Sequence, residues 1–183
     1  MGIFIIVVAV IIILLVYGIS VYNKLIRYRN QSEEASAAID AHLKRRYDLV
    51  PNLVETVKGY AAHEKETFSA VIAARNAAMG AQTLEEKDEA NKKFSSTLKS
   101  LFAVAEAYPE LKANTNFMDL QKQLQDIEKE LLEARTYYNA VIKHLNTMIE
   151  VFPSNIIASM SHFTKFPYLS IEEEAKQNVH VSF

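Results

Sequence analysis

No cysteine occurs among the 183 residues, which rules out a disulfide, a thiol nucleophile and any Cys-ligated metal, and leaves the side of a membrane on which the chain works open. Helix breakers are scarce too, with four glycines and four prolines, while Ala, Leu, Glu, Lys and Gln are plentiful. That balance favours helix over sheet nearly everywhere and makes the fold class all-α. Charge of one sign is also missing: the formal net charge is -2, with acids and bases interleaved, so no basic block marks nucleic acid as a partner. Apart from one short apolar segment, about 160 residues remain, enough for one ordinary domain with its own core.

What is present begins with that segment. Gly2 to Tyr22 holds no charged residue, and Ile3 to Val16 is hydrocarbon or aromatic except for Ala9. About 21 residues rising 1.5 Å each reach roughly 30 Å, the thickness of a bilayer's hydrocarbon core. Ile3, Phe4, Ile11, Leu14, Tyr17 and Tyr22 are the expected anchor residues, the two tyrosines lying near the water boundary. A cleaved signal peptide is the rival reading, supported by Gly18-Ile19-Ser20 but opposed by the lack of a Lys or Arg before the apolar run. Lys24, Arg27 and Arg29 follow directly. The positive-inside rule therefore expects a single-pass membrane protein with its amino terminus out and its large domain in the cytoplasm.

Apolar periodicity fills most of the remainder. Phe117, Leu120, Leu124, Ile127, Leu131, Ala134, Tyr138, Val141, Leu145, Met148 and Phe152 alternate steps of three and four, a seam on a helix about 55 Å long. Phe94, Leu98, Leu101, Ala105 and Tyr108 repeat it; Thr83 with Glu86 offers a capping box, and Pro109 ends the helix. A third stretch between Pro51 and Gly80 uses Leu53, Val54, Val57, Ala61, Phe68, Val71 and Ile72, with Asp48 placed to cap it and Pro51 in its first turn. The fourth helix, roughly Lys24 to Arg46, has no breaker separating it from the membrane segment.

These patterns predict an anchor over 1–23, an up-down-up-down bundle of four long helices over 24–152, and a carboxy-terminal apolar helix and tail over 153–183. Links at 47–51 and 108–115 would share the end far from the membrane. Phe152, Ile156, Ile157, Met160, Phe163, Phe166 and Tyr168 would arrive at the near end, either lying in the lipid interface or plugging the bundle. The alternation of Val179, Val181 and Phe183 resembles an extended strand ending in a free carboxylate.

Chemistry is harder to find. The histidines His42, His63, His144, His162 and His180 lack metal-ligand spacing: His63-Glu64 begins like a zinc-protease helix, but Thr67 stands where the second histidine is required. Glu-x-x-His pairs, G-x-S-x-G, P-loop and dinucleotide fingerprints are all missing from the sequence, so no catalytic residue, cofactor or metal is expected. The densest polar group is Arg45, Arg46, Tyr47, Asp48 and Asn52, expected beside Glu106, Tyr108, Lys112 and Asn114. It has two readings, a partner-docking patch or simple helix-end chemistry.

Four strings carry a resemblance. Residues 45–61 read RRYDLVPNLVETVKGYA, 22–30 read YNKLIRYRN, 105–114 read AEAYPELKAN and 152–158 read FPSNIIA. Together they resemble the LemA family over nearly the whole chain. The resemblance implies a bacterial protein with an amino-terminal anchor and a helical bundle, one branch of the family contributing to magnetosome membranes, and it brings no catalytic residue set. The expectation is a non-catalytic membrane scaffold or adaptor that forms homo-oligomers and meets other membrane proteins. The alternative is an enzyme or accessory factor of membrane-protein turnover that uses the polar cluster.

Overall fold

A computed structural model describes residues 1–170, which are helical with no strand among them. The alternating tail and His180 lie outside the described residues. Among the described residues six helices follow in order: α1 Gly2–Lys58, α2 Lys65–Gly80, α3 Leu84–Glu106, α4 Pro109–Lys112, α5 Thr115–Glu150 and α6 Ser154–Met160. By packing, the chain forms two units, one of Met1–Ala37 with Thr136–Tyr168, the other of Ala38–Arg135 with Leu169 and Ser170. The expected segments 1–23, 24–152 and 153–183 follow chain order, whereas the units follow contacts, and α1 and α5 contribute to both.

The second unit has the expected up-down-up-down course. Asp40 meets Lys87 and Tyr47 meets Asn91, so α1 and α3 ascend together. Arg46 reaches Glu128 on α5 while Asp88 of α3 faces Arg135, and Phe102 stacks edge-on with Phe117, so α5 descends against both. Leu53, Leu101, Leu111, Ile127 and Phe94 are fully buried between them, each contributing about 1.5–3 kcal/mol relative to exposure.

One expected boundary is wrong. Residues 47–51 form no link: α1 passes through Asp48 and Pro51 to Lys58, and the turn comes at 59–64. Asp48 is therefore no cap but an exposed helical residue paired with Lys44 at 2.9 Å. Leu53, Val54 and Val57, assigned to the following helix, complete the buried stripe of α1 begun by Ile39, Leu43, Tyr47 and Val50. A proline inside a helix removes the N–H that should reach the carbonyl four residues back and normally breaks the helix. Here the orphaned carbonyl belongs to Tyr47, and Arg75 of α2 donates its Nε–H to it at 2.7 Å. A partner from another helix replaces the missing bond.

The other boundaries agree with local chemistry. Thr83 Oγ1 accepts from the Glu86 N–H at 3.2 Å, and Glu86 Oε2 accepts from the N–H groups of Gln82 and Thr83 at 3.0 and 3.1 Å. Those backbone donors, Gln82 first, hold the Glu86 carboxyl below the ordinary carboxylate range. Tyr108 is extended before Pro109, as the proline ring requires, and the Asn114 side chain caps α5 by accepting from the Phe117 N–H at 3.0 Å.

In the first unit, Val21 and Leu25 of α1, Leu145 of α5 and Ala158 of α6 make the core, with Tyr28, Met148, Ile149, Ile157, Phe163 and Phe166 packed around them. Tyr28 also stacks on His144, ring centroids 5.7 Å apart. α6 ends in a tight reversal: Phe163 N–H bonds to Ala158 O and His162 N–H to Ser159 O, with His162 at φ 57, the paired pattern that closes a helix through a left-handed residue. The segment after it is clamped by Asn146, whose side-chain amide donates to Phe166 O and accepts from Phe166 N–H, both at 2.9 Å. Phe152, expected to finish the α5 seam, lies beyond the helix end and is 80% exposed.

The apolar stretch expected to anchor the chain forms the start of α1. Ile3, Phe4, Ile11, Leu14, Tyr17 and Tyr22 are all exposed, and this is a helix long and apolar enough to cross a membrane, with none of its most apolar stretch buried.

Candidate functional site

The residues expected as one polar patch separate when the helices are laid out. Arg45, Asp48 and Asn52 are exposed on α1, and Arg45 pairs with Glu130 at 2.8 Å. Arg46 and Tyr47 turn inward and are buried. None of the five lies at a helix end, because α1 continues for about 18 Å past Arg46. Glu106 and Lys112 are exposed, Tyr108 half-buried, and Asn114 accepts no contact from the arginines; it donates to Tyr60 Oη at 2.9 Å. The extended α1 brings Tyr60, not Arg45 or Arg46, beside the 108–115 connection.

A different cluster assembles inside the second unit. Arg46 is 3% exposed; its Nη2 donates to Ser95 Oγ at 2.8 Å and faces Glu128, and its guanidinium lies 4.9 Å over the Phe94 ring. A buried cation is tolerable only when such partners replace its water. Next to it the Tyr47 hydroxyl donates to Asn91 Oδ1 at 2.9 Å, and Asn91 Nδ2 donates to Lys87 O at 2.7 Å. Burial raises the Tyr47 pKa above its ordinary 10.0, against the smaller opposing effects of the Asn91 bond and the Arg46 charge.

Further along α3, Asp88 gathers Lys92 at 3.0 Å, the nearly buried Arg135 of α5 at 3.7 Å, and the hydroxyl of Ser170. A polar layer thus crosses an otherwise apolar bundle. Sliding one helix against another here would strand a buried charge. The hydroxyls here are held rather than activated. Ser95 Oγ accepts from a guanidinium, and a buried phenol with a raised pKa is a poor nucleophile at neutral pH.

Asp88, Asn91, Lys92, Ser95, Glu128, Arg135 and Ser170 are the members the sequence reading missed. For the buried Asn91 and Arg135 the signal is phase: Asn91 stands three residues before Phe94 and Arg135 four after Leu131, polar residues at positions where the seam points inward. The histidines among the described residues do not converge. His42 pairs with Glu130 at 3.1 Å, His144 stacks on Tyr28 and His162 closes α6. Among the described residues no group of three His, Asp or Glu is arranged to hold a metal ion.

Comparison with known proteins follows the helices. The protein named Protein LemA from Metamycoplasma hominis is 26% identical over 137 residues, which cover 74% of this chain and 63% of that protein; the chain thus spans under two thirds of its relative's length. The LemA family model matches residues 35–183, which include the Arg46, Tyr47 and Pro51 of α1 and the partners that bury them. On that match, and on the helical architecture it covers, the chain belongs to the LemA family.

Proposed function

We propose that this chain is a membrane-anchored, non-catalytic helical scaffold of the bacterial inner membrane that self-associates in the plane of the bilayer and presents its helical bundle to other membrane proteins in the cytoplasm. The observation that carries this reading is α1 itself. Its first residues are apolar and exposed on every side, and the same helix, without a break, supplies the central buried stripe of the second unit.

An apolar surface of this kind is stable only in lipid or against other chains. The cations Lys24, Arg27 and Arg29 just beyond it favour a cytoplasmic domain. Identical anchored copies share one orientation and offer the same faces to each other, and repeated contacts of that kind close into symmetric assemblies. The buried polar layer supports a scaffold, since helices that slid past one another would strand a buried charge.

Native mass spectrometry of the full chain released in mild detergent tests the assembly. Oligomers at micromolar protein are expected, and a spectrum of monomer alone would overturn self-association.

A further inference from the structure

The first unit contains cations without anions. Arg29 faces Glu33 at 3.8 Å and Lys165 pairs with Glu150, but Lys24 and Arg27 have no carboxylate partner among the described residues. One turn apart on α1, both border a cavity of about 350 Å³ whose other walls include Tyr17 and Tyr28 of α1, Met148 of α5 and Ser154 of α6. Its lining mixes hydrocarbon with polar tips. That suits a ligand with an anionic head and an apolar body.

The level of this cavity along α1 is set by one contact. A Cβ on Gly18 would stand 3.5 Å from Ile157 Cδ1, so α6 lies against the last turn of the apolar stretch, where a spanning helix meets the headgroups. Lys24 lies about 9 Å further along the helix, at phosphate depth.

α6 has two faces. Ser154, Ile157 and Ala158 turn toward the core, whereas Ile156 and Met160 are 50% and 74% exposed, and Phe152, two residues before the helix, is 80% exposed. The expected plug therefore uses only half of the apolar residues. The other half stays exposed on or just before a helix whose Ile157 lies against Gly18 of the apolar stretch.

We propose that this corner of the first unit is a seat for an anionic phospholipid, with the phosphate held by Lys24 and Arg27 in the cavity and the acyl chains lying along α1 and the exposed face of α6. Long cationic side chains at the end of a spanning helix reach headgroup phosphates while their stems stay in apolar surroundings. The inference rests on the reading that the start of α1 crosses a bilayer, and the test separates the two.

The chain has no tryptophan, so a single Trp reports one depth without background. Full-length Ile11→Trp, Phe152→Trp, Met160→Trp and Tyr137→Trp variants would be placed in phosphatidylcholine–phosphatidylglycerol vesicles carrying a spin-labelled quencher lipid. Quenching is expected at 11, 152 and 160 but not at 137, about 16 Å up α5 from Met148. In parallel, retention of phosphatidylglycerol by detergent-released protein would be compared for the parent, Lys24→Gln/Arg27→Gln and Lys165→Gln.

Loss of about tenfold or more in the double variant is expected, with Lys165→Gln retaining lipid like the parent. Quenching at 11 with none at 152 and 160 would overturn the seat and leave the span standing, whereas no quenching at 11 would remove the span beneath it. Equal lipid retention by the double variant would overturn the headgroup site, and competition by inorganic phosphate alone, as effective as by lipid, would make it a free-phosphate site instead.

Discussion

Arg45 and Arg46 are neighbours with opposite fates, because successive helical residues point about 100° apart. Arg45 reaches an exposed carboxylate, an arrangement that contributes little, while Arg46 is enclosed by Phe94, Ser95 and Glu128. Arg45→Glu is expected to lower stability by less than about 1 kcal/mol, and Arg46→Glu by about 3–5 kcal/mol because it leaves Glu128 facing a second anion beside a buried site. Thermal melts of the two single variants check this; equal effects would mean that Arg46 is not interior. Tyr47→Phe leaves Asn91 Oδ1 without its donor and should cost about 1–3 kcal/mol at neutral pH. The sign of its pH dependence follows from burial. With the folded pKa raised above the ordinary 10.0, the neutral phenol's contribution is intact below about pH 10 and is lost as pH rises through the folded value, because the unfolded chain ionises first. The stability gap between parent and Tyr47→Phe should therefore narrow above pH 10 in denaturation curves, and a gap that widens there would contradict it.

At the scale of the element, Pro51 is the instructive residue. A proline in the interior of a helix costs about 3 kcal/mol when nothing compensates, and compensation is visible in the Arg75 Nε–H that meets Tyr47 O. Pro51→Ala should raise stability by about 1–3 kcal/mol by restoring an intrahelical donor. Arg75→Met alone should cost about 1–2 kcal/mol, through a carbonyl left unpaired. With Pro51→Ala present, the same change should cost distinctly less, because the backbone N–H of the introduced alanine then serves that carbonyl. A double-mutant cycle measured by thermal unfolding reads the coupling directly, and strict additivity would show that Arg75 does not compensate for the proline. The capping box of α3 needed no such help: its donors and acceptors are all within five residues, which is why it was legible from Thr83 and Glu86 alone.

For the whole molecule the testable quantity is orientation. Ala113, in the exposed turn between α4 and α5, is expected on the cytoplasmic side because Lys24, Arg27 and Arg29 follow the apolar stretch. Ala113→Cys introduces the protein's sole thiol. It should be protected from a membrane-impermeant thiol reagent in intact cells and react after lysis; labelling of intact cells would reverse the topology. Membership in the LemA family is consistent with an anchor and bundle, and it adds no reaction to the helices described above.

The sequence by itself determined the all-helical class, the apolar stretch, the seams of α3 and α5, the capping box and the stop at Pro109. Each of these depends on residues a few positions apart, whose interactions are decided before any distant contact forms. The tertiary structure alone decided that α1 continues through Pro51, since the donor that makes this possible comes from Arg75, in another helix. It also decided which of Arg45 and Arg46 is buried, and that Tyr60 rather than Arg46 meets Asn114. It divided the carboxy-terminal apolar residues into an inner face, with Ile157 and Phe163, and an outer face, with Phe152, Ile156 and Met160. Periodicity shows that a face is apolar, but only the packed neighbours settle how much of that face the protein covers itself.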